Sequence, residues 1–247
     1  MGPQITVASP ETFGLAACRE LLALASAFEA PLLGLATGYT PIPLYEVLRE
    51  HVRLGEISLA RFRPPFAIDE YVVPDAAHSC ANRAFFARHW GAIPTTHPVH
   101  QFDPSAPDLL AEASRFAAQL KDAGGLDVVI LGIGMNGHLA FNEPGTERGQ
   151  RAMLTTLTSR TRASATACFG AAPPTHGLTL GLAEILSARR VLLLAMGEKK
   201  AEIVAQALER TVSSTCPASF LQEHPHCSVV LDTAAAARLT RTLIRPA

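Results

Sequence analysis

Short apolar runs alternate along this chain with longer segments in which apolar residues recur at helical spacing. The runs are PLLGLA, RPPFAI, LDVVILGI, RRVLLLAM and CSVVLD, at residues 31–36, 63–68, 126–133, 189–196 and 227–232. The helical segments include residues 13–30, 107–125 and 198–210. Because strands buried on both faces read as continuous apolar runs, the alternation predicts an α/β fold, a Rossmann-like three-layer sandwich with a mostly parallel sheet. We place the first apolar strand near residue 31 and expect one domain over residues 1–247.

Polar clusters follow four of the predicted strands. TGYTP follows the first run, DEY the second, GMNGH the third and GEKK the fourth. In open parallel sheets, ligands bind outside the carboxyl ends of the strands. The sequence therefore predicts an active-site cleft where these four clusters meet.

Charge and composition exclude several classes of partner. The formal net charge of -1 at pH 7 gives no general attraction to nucleic acid or to an anionic membrane. No run approaches the roughly 18 to 20 apolar residues of a membrane span, and the first residues do not resemble a signal peptide, so we expect a cytoplasmic protein. The five cysteines lack zinc-like spacing, which predicts reduced, mostly buried thiols and no metal site.

The TGYTP cluster has the composition of a turn that leads into a helix. Gly38 permits a tight turn, Thr40 can cap the helix, and Pro41 suits the first helical position. Free N–H groups and the helix dipole at such a place favour a phosphate. The pattern alone is more typical of an ordinary capped turn.

The DEY cluster places two acids, Asp69 and Glu70, directly after a strand. Neighbouring side chains on an extended chain point to opposite sides, so we expect one of the two in the cleft. A carboxylate in a partly desolvated cleft can act as a general base. A helix cap or a surface ion pair is the alternative interpretation.

The segment GIGMNGHLAFNEPG, residues 132–145, supplies the third cluster. Its glycines match G-x-G-x-x-G literally, but Pro144 ends any helix that a dinucleotide site would need. His138 and Glu143 favour a proton relay instead, because a carboxylate can orient one ring nitrogen toward a substrate. A core histidine that bonds a carbonyl remains the alternative. Lys200 lies near the predicted rim, whereas the pattern gives Arg162 no comparable placement.

Together, the motifs resemble the glucosamine-6-phosphate deaminase family. The resemblance rests on GLATGYTP, FAIDEYV, LGIGMNGHLAFNEPG, LTSRTRASA, the segment from residue 177 to 204, and PASFLQEHPHCSVVLD. It spans about residues 30 to 232 in family order. DEYV and GHLAFNEPG resemble the deaminase branch, whereas the loop of the related 6-phosphogluconolactonases resembles G-x-D-G-H-T-A-S-L-F-P.

The resemblance implies a deaminating isomerisation of glucosamine 6-phosphate to fructose 6-phosphate and ammonia. It implies a cytoplasmic enzyme of the hydrolase class, in amino-sugar catabolism and N-acetylglucosamine utilisation, with no cofactor and no metal. Asp69 would remove the C2 proton, and His138 with Glu143 would open the sugar ring. The resemblance also implies a set of residues that bind the phosphate of the substrate: Thr37, Gly38, Tyr39, Thr40, Arg162 and Lys200.

The chain departs from part of the family at Asn136, where some members carry an aspartate of the ring-opening relay. An amide cannot take up a proton at neutral pH, so we assign Asn136 to hydrogen bonding and orientation. Residues 145–154 lack a clear match to the basic residues of allosterically regulated hexamers, and regulation is not implied. Three alternative functions stay open: deamination of galactosamine 6-phosphate, lactonase activity and a non-catalytic sugar-phosphate sensor. The sequence also leaves open whether the protein forms a homo-oligomer and whether residues 145–155 form a lid.

Overall fold

A computed structural model describes residues 2–73, 81–94, 97–169, 174–240 and 244–246, with the side chains of 167–169 and 244–246 left out. The described strands are β1 (Gln4–Ala8), β2 (Leu33–Leu35), β3 (Phe66–Ala67), β4 (Asp69–Tyr71), β5 (Val128–Gly132), β6 (Met153–Thr156), β7 (His176–Thr179), β8 (Arg190–Ala195), β9 (Cys227–Asp232) and β10 (Ile244–Pro246). The α-helices are α1 (Phe13–Ala25), α2 (Ile42–Arg53), α3 (Asn82–His89), α4 (Leu109–Asp122), α5 (Ser159–Phe169), α6 (Leu182–Leu186) and α7 (Ala201–Glu209). Two 3₁₀ helices span Glu198–Lys200 and Pro217–Glu223.

The main sheet of the described chain has seven strands in the order β10-β1-β9-β8-β5-β2-β3. Every pairing in it is parallel. Along β5, Val129 and Leu131 belong to one apolar cluster, whereas Val128 and Ile130 belong to another. Because successive side chains of a strand point to opposite faces, the sheet is buried on both sides. The predicted three-layer α/β fold is confirmed.

Helices supply the two outer layers. On one face, the cluster that contains Val128 also holds apolar residues of α1, α2 and α3, among them Phe13, Tyr45 and Phe86. On the other face, the cluster that contains Val129 holds residues of α4 and α7, among them Phe116 and Val204. Each of these helices buries an apolar stripe against the sheet.

A small antiparallel sheet, β4-β7-β6, lies beside the carboxyl end of β3. Ile68 joins the two sheets, because its N–H donates to Leu35 O at 3.2 Å and its carbonyl accepts the N–H of Leu180 at 2.8 Å. The chain therefore changes from the main sheet to the small one between Ala67 and Asp69. This change of sheet brings Asp69 to the edge at which the main strands end.

The expected position of the first strand was wrong, because β1 precedes α1 and pairs in parallel with β9. Its sequence, QITVA, begins with an exposed polar residue, and Ile5 and Ala8 are its two buried residues. A strand of this mixed burial does not read as a continuous apolar run, so the pattern that identified the central strands missed it.

The expected start of α2 was also wrong, by one residue. The helix begins at Ile42, with Pro41 in the cap position and no side-chain cap. The Ile42 N–H donates instead to Tyr39 O at 3.3 Å. A backbone turn takes the place of the Thr40 hydroxyl that the sequence predicted as the cap.

Of the predicted buried thiols, Cys18, Cys216 and Cys227 are free and buried. Cys80 and Cys168 lie outside the described side chains. Among the described helices, none has both the length and the apolar character required to traverse a membrane.

Candidate active site

A cavity of about 820 Å³ lies at the carboxyl edge of the parallel sheet. Its walls come from the segments that follow β2, β3, β5 and β8, together with residues of α5. The four polar clusters of the sequence therefore meet at one rim, as the fold prediction required. The turn residues Thr37, Gly38, Tyr39 and Thr40 all line this cavity.

Two glycines of the segment after β5 let the backbone pass close to its neighbours. A Cβ on Gly134 would lie 2.4 Å from the ring of His138, so the bare backbone makes room for the imidazole. Gly137 has a φ of 85°, and a Cβ there would lie 2.6 Å from the Cys216 sulfur. Other residues are strained in that left-handed region. Gly134 thus makes room for His138, and Gly137 for Cys216.

Asp69 lines the cavity and is 7% exposed. Asn82 Nδ2 donates to Asp69 Oδ1 at 2.7 Å and to the Asp69 carbonyl at 3.0 Å. Burial, together with the neighbouring charge of Glu70, raises the pKa of Asp69 to about 7, against the opposing effect of the Asn82 hydrogen bond. The side chain is therefore a carboxylate that exchanges protons near neutral pH.

Glu70 is not among the described cavity residues and binds the start of α3. Its carboxylate accepts backbone N–H bonds from Tyr71 at 2.8 Å, Asn82 at 2.7 Å and Arg83 at 3.1 Å. Burial raises the pKa of Glu70 to about 7, although these N–H donors lower it. The two neighbouring acids thus divide as expected for an extended chain, Asp69 into the cavity and Glu70 to a helix terminus.

His138 lines the cavity beside a short polar network. Its Nδ1 lies 3.2 Å from Thr161 Oγ1 and 3.6 Å from Glu143 Oε2. The hydroxyl is the closer partner, and the carboxylate stands just beyond hydrogen-bond distance. With Nδ1 engaged on this side, Nε2 is the ring nitrogen left for a substrate.

Glu143 is held by several donors. It accepts Asn136 Nδ2 at 2.7 Å, the Thr158 N–H at 3.1 Å and the Thr158 hydroxyl at 3.2 Å. Burial by itself raises the pKa of this carboxyl, but the hydrogen bonds and the nearby His138 outweigh burial and lower the pKa to about 2. Glu143 is therefore a permanent anion at neutral pH.

Asn136 connects this anion to the backbone of His138. While its Nδ2 donates to Glu143, its Oδ1 accepts the His138 N–H at 3.3 Å. Asn136 is not among the residues of the described chain that line the cavity. Its position therefore suits orientation of the relay.

The two predicted cations differ in placement. Lys200 lines the cavity, and its Nζ donates to Ile133 O at 2.5 Å. Arg162 is not a described cavity residue, although its neighbours Thr161 and Ser164 on α5 are. The Nε of Arg162 is buried and has no hydrogen-bond partner within the described part of the chain.

Three residues of the site were missed by the sequence analysis: Asn82, Thr158 and Thr161. Thr158 precedes α5 and accepts the Thr161 N–H at 3.3 Å, as a helix cap does. A threonine just before a helix is a recognisable cap signal, so Thr158 could have been found. Asn82 lies 13 positions from Asp69, and no local pattern connects the two.

The segment at residues 145–155, which the sequence left open as a lid, is bonded to the rest of the protein. The Gly145 N–H donates to Ser214 O at 2.8 Å, and Gln150 O accepts the Ala183 N–H at 2.9 Å. Arg148 forms an ion pair with Glu223. Residues 153–155 belong to β6. These contacts favour a fixed segment over a moving lid.

Comparison with known proteins gives a consistent set of relatives. The family model described as glucosamine-6-phosphate isomerases/6-phosphogluconolactonase matches residues 11–230. The glucosamine-6-phosphate deaminase of Beutenbergia cavernae is 42% identical over 214 residues, which cover 85% of this chain and 82% of the relative. These names are those of an isomerase and a deaminase, so the predicted hydrolase class was wrong.

Solved structures extend the comparison. A structure described as a monomeric glucosamine-6-phosphate deaminase matches with a TM-score of 0.88 and 30% identity, over 95% of this chain and 99% of that one. The 6-phosphogluconolactonase of Trypanosoma cruzi matches with a TM-score of 0.77 and 23% identity, over 97% of each chain. The second likeness concerns the fold alone.

Proposed function

Because the chain belongs to the family of glucosamine-6-phosphate isomerases and 6-phosphogluconolactonases, we propose that it converts glucosamine 6-phosphate to fructose 6-phosphate and ammonia. The observation that carries this proposal is the buried Asp69 carboxylate, whose pKa burial raises to about 7 in the same cavity as His138. The relative at 42% identity is named a deaminase, which favours deamination over lactone chemistry.

Ring opening is the first step. His138 takes the proton of the anomeric hydroxyl and returns a proton to the ring oxygen as the bond between C1 and that oxygen breaks. The anionic Glu143 stabilises the imidazolium that forms in between, at 3.6 Å from Nδ1. Asn136 orients the Glu143 carboxylate and Thr161 orients the His138 imidazole through their hydrogen bonds.

Proton transfer from C2 follows. Asp69 removes the C2 proton of the open-chain sugar and delivers it to C1 through an enolamine. A general base works best when its pKa lies near the working pH, and the pKa of about 7 meets that condition. Water then adds to C2 of the resulting imine, and departure of ammonia from that carbon gives fructose 6-phosphate.

The phosphate group binds at the turn 37–40 together with Lys200 and Arg162. The turn leads directly into α2, whose N-terminal N–H groups favour an anion. Lys200 brings an ammonium into the cavity. The buried Nε of Arg162, without a partner in the described chain, supports a role for this guanidinium once a ligand is bound. Such groups can hold a phosphate dianion in a protein that has no net positive charge.

We extend the proposal to the setting of the enzyme. A glucosamine 6-phosphate deaminase serves amino-sugar catabolism and N-acetylglucosamine utilisation, and we place it in the cytoplasm as a single domain over residues 1–247. The structural relative at 30% identity is described as monomeric, which supports a monomer in solution. Sedimentation of the purified protein tests the oligomeric state, and cell fractionation tests the location.

The deciding experiment measures ammonia release from glucosamine 6-phosphate and galactosamine 6-phosphate, with a control without enzyme. Release from glucosamine 6-phosphate and little from its C4 epimer is the expected result. Release from the epimer alone would keep the chemistry and change the substrate. Hydrolysis of 6-phosphogluconolactone without ammonia release from either sugar would overturn the proposal.

A further inference from the structure

Asn82 joins two segments of the cavity wall that are distant in the sequence. It is fully buried at the first position of α3. Its Nδ2 donates to Asp69 Oδ1 at 2.7 Å, and its Oδ1 accepts the Thr37 hydroxyl at 3.1 Å. Its backbone N–H donates to Glu70 at 2.7 Å. One amide thus links the turn after β2 to the acid after β3.

The chemistry of the partners determines which way the amide faces. An ionised carboxylate can only accept hydrogen bonds, so the NH₂ group of Asn82 must face Asp69. The Thr37 hydroxyl supplies a donor to the amide oxygen at the other end. If the amide were reversed, its oxygen would face the Asp69 oxygen and its NH₂ group would face the hydroxyl. The hydroxyl can donate or accept, so the carboxylate determines the orientation, and Thr37 donates to the amide oxygen that then faces it.

Glu70 secures the backbone from which Asn82 projects. It accepts the N–H groups of the first two residues of α3, Asn82 and Arg83, and that of Tyr71 in β4. These bonds tie the start of the helix to the strand that carries Asp69. The distance between the amide and the carboxylate is therefore determined by the backbone as well as by their own hydrogen bond.

We propose that Asn82 is a positioning residue for Asp69, which keeps the carboxylate turned into the cavity and stabilises its ionised form, while Thr37 holds the amide through its oxygen. The inference rests on the proposed function, in which Asp69 is the general base. A hydrogen bond donated to a charged group is among the stronger polar contacts in proteins.

The electrostatics of the site agree with this geometry. Burial and Glu70 raise the pKa of Asp69, and the Asn82 hydrogen bond is the contact that lowers it. The buried Tyr45 also lies near Asp69, and its hydroxyl donates to Ala36 O at 2.8 Å. Burial raises the pKa of this phenol, so Tyr45 stays neutral over the working range.

Other titratable side chains of the described residues line the cavity with Asp69. Besides two tyrosines, they are His138, Glu198, Lys199 and Lys200. Variants at Asn82 leave all of these groups in place. A change in the titration of Asp69 in such variants is therefore attributable to the lost amide.

The test compares Asn82→Leu and Thr37→Val with the wild-type protein. We expect Asn82→Leu to lower kcat by about 10-fold to 100-fold, because it removes a hydrogen bond to the charged base. The acid limb of the kcat/KM profile should move up by about one pH unit, since the lost donor no longer favours the ionised form. Thr37→Val should move the limb in the same direction by less.

A second measurement needs no substrate. The carboxyl carbon of Asp69 is titrated by NMR in protein with ¹³C-labelled aspartate, and Asp69→Asn identifies its signal. Asp127→Ala is the matched control, because Asp127 is buried and accepts the Leu32 N–H at 2.8 Å at the opposite end of β5. The control should lose stability without moving the Asp69 titration.

The outcomes separate this inference from the proposed function. Wild-type turnover, with an acid limb and an Asp69 titration that Asn82→Leu leaves in place, would overturn the positioning role alone. A wild-type protein that releases no ammonia, combined with an upward titration shift in Asn82→Leu, would overturn the function and keep the control of Asp69 by Asn82. If Asn82→Leu does not fold, Thr37→Val decides, and an unchanged titration in it would contradict the inference.

Discussion

The site contains two carboxylates, Asp69 and Glu143, whose pKa values are shifted in opposite directions. Asp69 and Glu143 are equally exposed, at 7% each. Burial and the adjacent Glu70 raise the pKa of Asp69 to about 7, whereas hydrogen bonds and His138 overcome burial and lower the pKa of Glu143 to about 2. Burial alone therefore does not decide the role of an acid. The balance of burial, hydrogen-bond donors and neighbouring charges does.

This difference suits two different tasks. Asp69 has one side-chain donor, Asn82, and so can take up and release a proton near neutral pH. Glu143 has donors from Asn136 and Thr158, and so stays charged as a permanent partner for His138. A pair of acids with separated proton affinities is a common basis for assigning a base and an electrostatic partner in one site.

The largest effect is expected from Asp69→Asn, which removes the proton acceptor and nearly preserves its shape. Turnover should fall by roughly 100-fold to 10,000-fold, while substrate affinity changes less. Steady-state ammonia release and the binding of fructose 6-phosphate by calorimetry check this. Turnover close to that of the wild type would remove Asp69 from the role of base.

A smaller loss of turnover is expected from Glu143→Gln. The amide would place an NH₂ group among the donors of Asn136 and Thr158 and would remove the charge beside His138. We expect turnover to fall by about 10-fold to 100-fold, because a charge-assisted contact is lost while the base remains. The same ammonia assay measures it. A loss greater than that of Asp69→Asn would mean that Glu143 contributes more to turnover than Asp69.

The proposed phosphate-binding residues should act mainly on substrate affinity, because the phosphate is remote from the reacting carbons. Lys200→Ala and Arg162→Ala should each raise KM by about 10-fold, with a smaller change in kcat. Lys121→Ala, at an exposed position of α4, is the control. Binding titrations with fructose 6-phosphate check the effect directly. An unchanged affinity would remove that residue from the phosphate site.

The smallest effect, on stability, should have opposite signs for the two acids. The raised pKa of Asp69 costs stability as pH rises from its ordinary value of 3.8 through about 7, so Asp69→Asn should gain about 1 kcal/mol at pH 8 and nothing near pH 4. The lowered pKa of Glu143 contributes stability above 4.5 that is lost as pH falls through about 2.

Glu143→Gln should therefore lose about 1 kcal/mol at pH 8, with a smaller loss in acid. Urea denaturation of both variants and the wild type, at pH 8 and pH 4, gives the free energies of unfolding. Equal changes at pH 8 would mean that the pKa values of Asp69 and Glu143 are not shifted in opposite directions.

Local patterns were sufficient for much of the fold. The central strands β5, β8 and β9 follow from continuous apolar runs, because a strand covered on both faces has no polar side to interrupt the pattern. The pattern missed β1, whose burial is mixed, and the antiparallel pairing of β4 with β7, which depends on where the chain leaves the main sheet. The start of α2 moved by one residue because a backbone turn replaced a side-chain cap.

By itself, the sequence determined the α/β fold, the strand ends at which polar residues gather, and the kinship with a family of sugar-phosphate enzymes. It named Asp69, His138 and Glu143, because an acid or a histidine after a strand is a local feature. Only the tertiary structure decided which donors surround each carboxylate, and that Asn82 bonds both Thr37 and Asp69. Proton affinity depends on burial and on partners that are distant in the chain, and these exist only after the sheet and its helices have assembled.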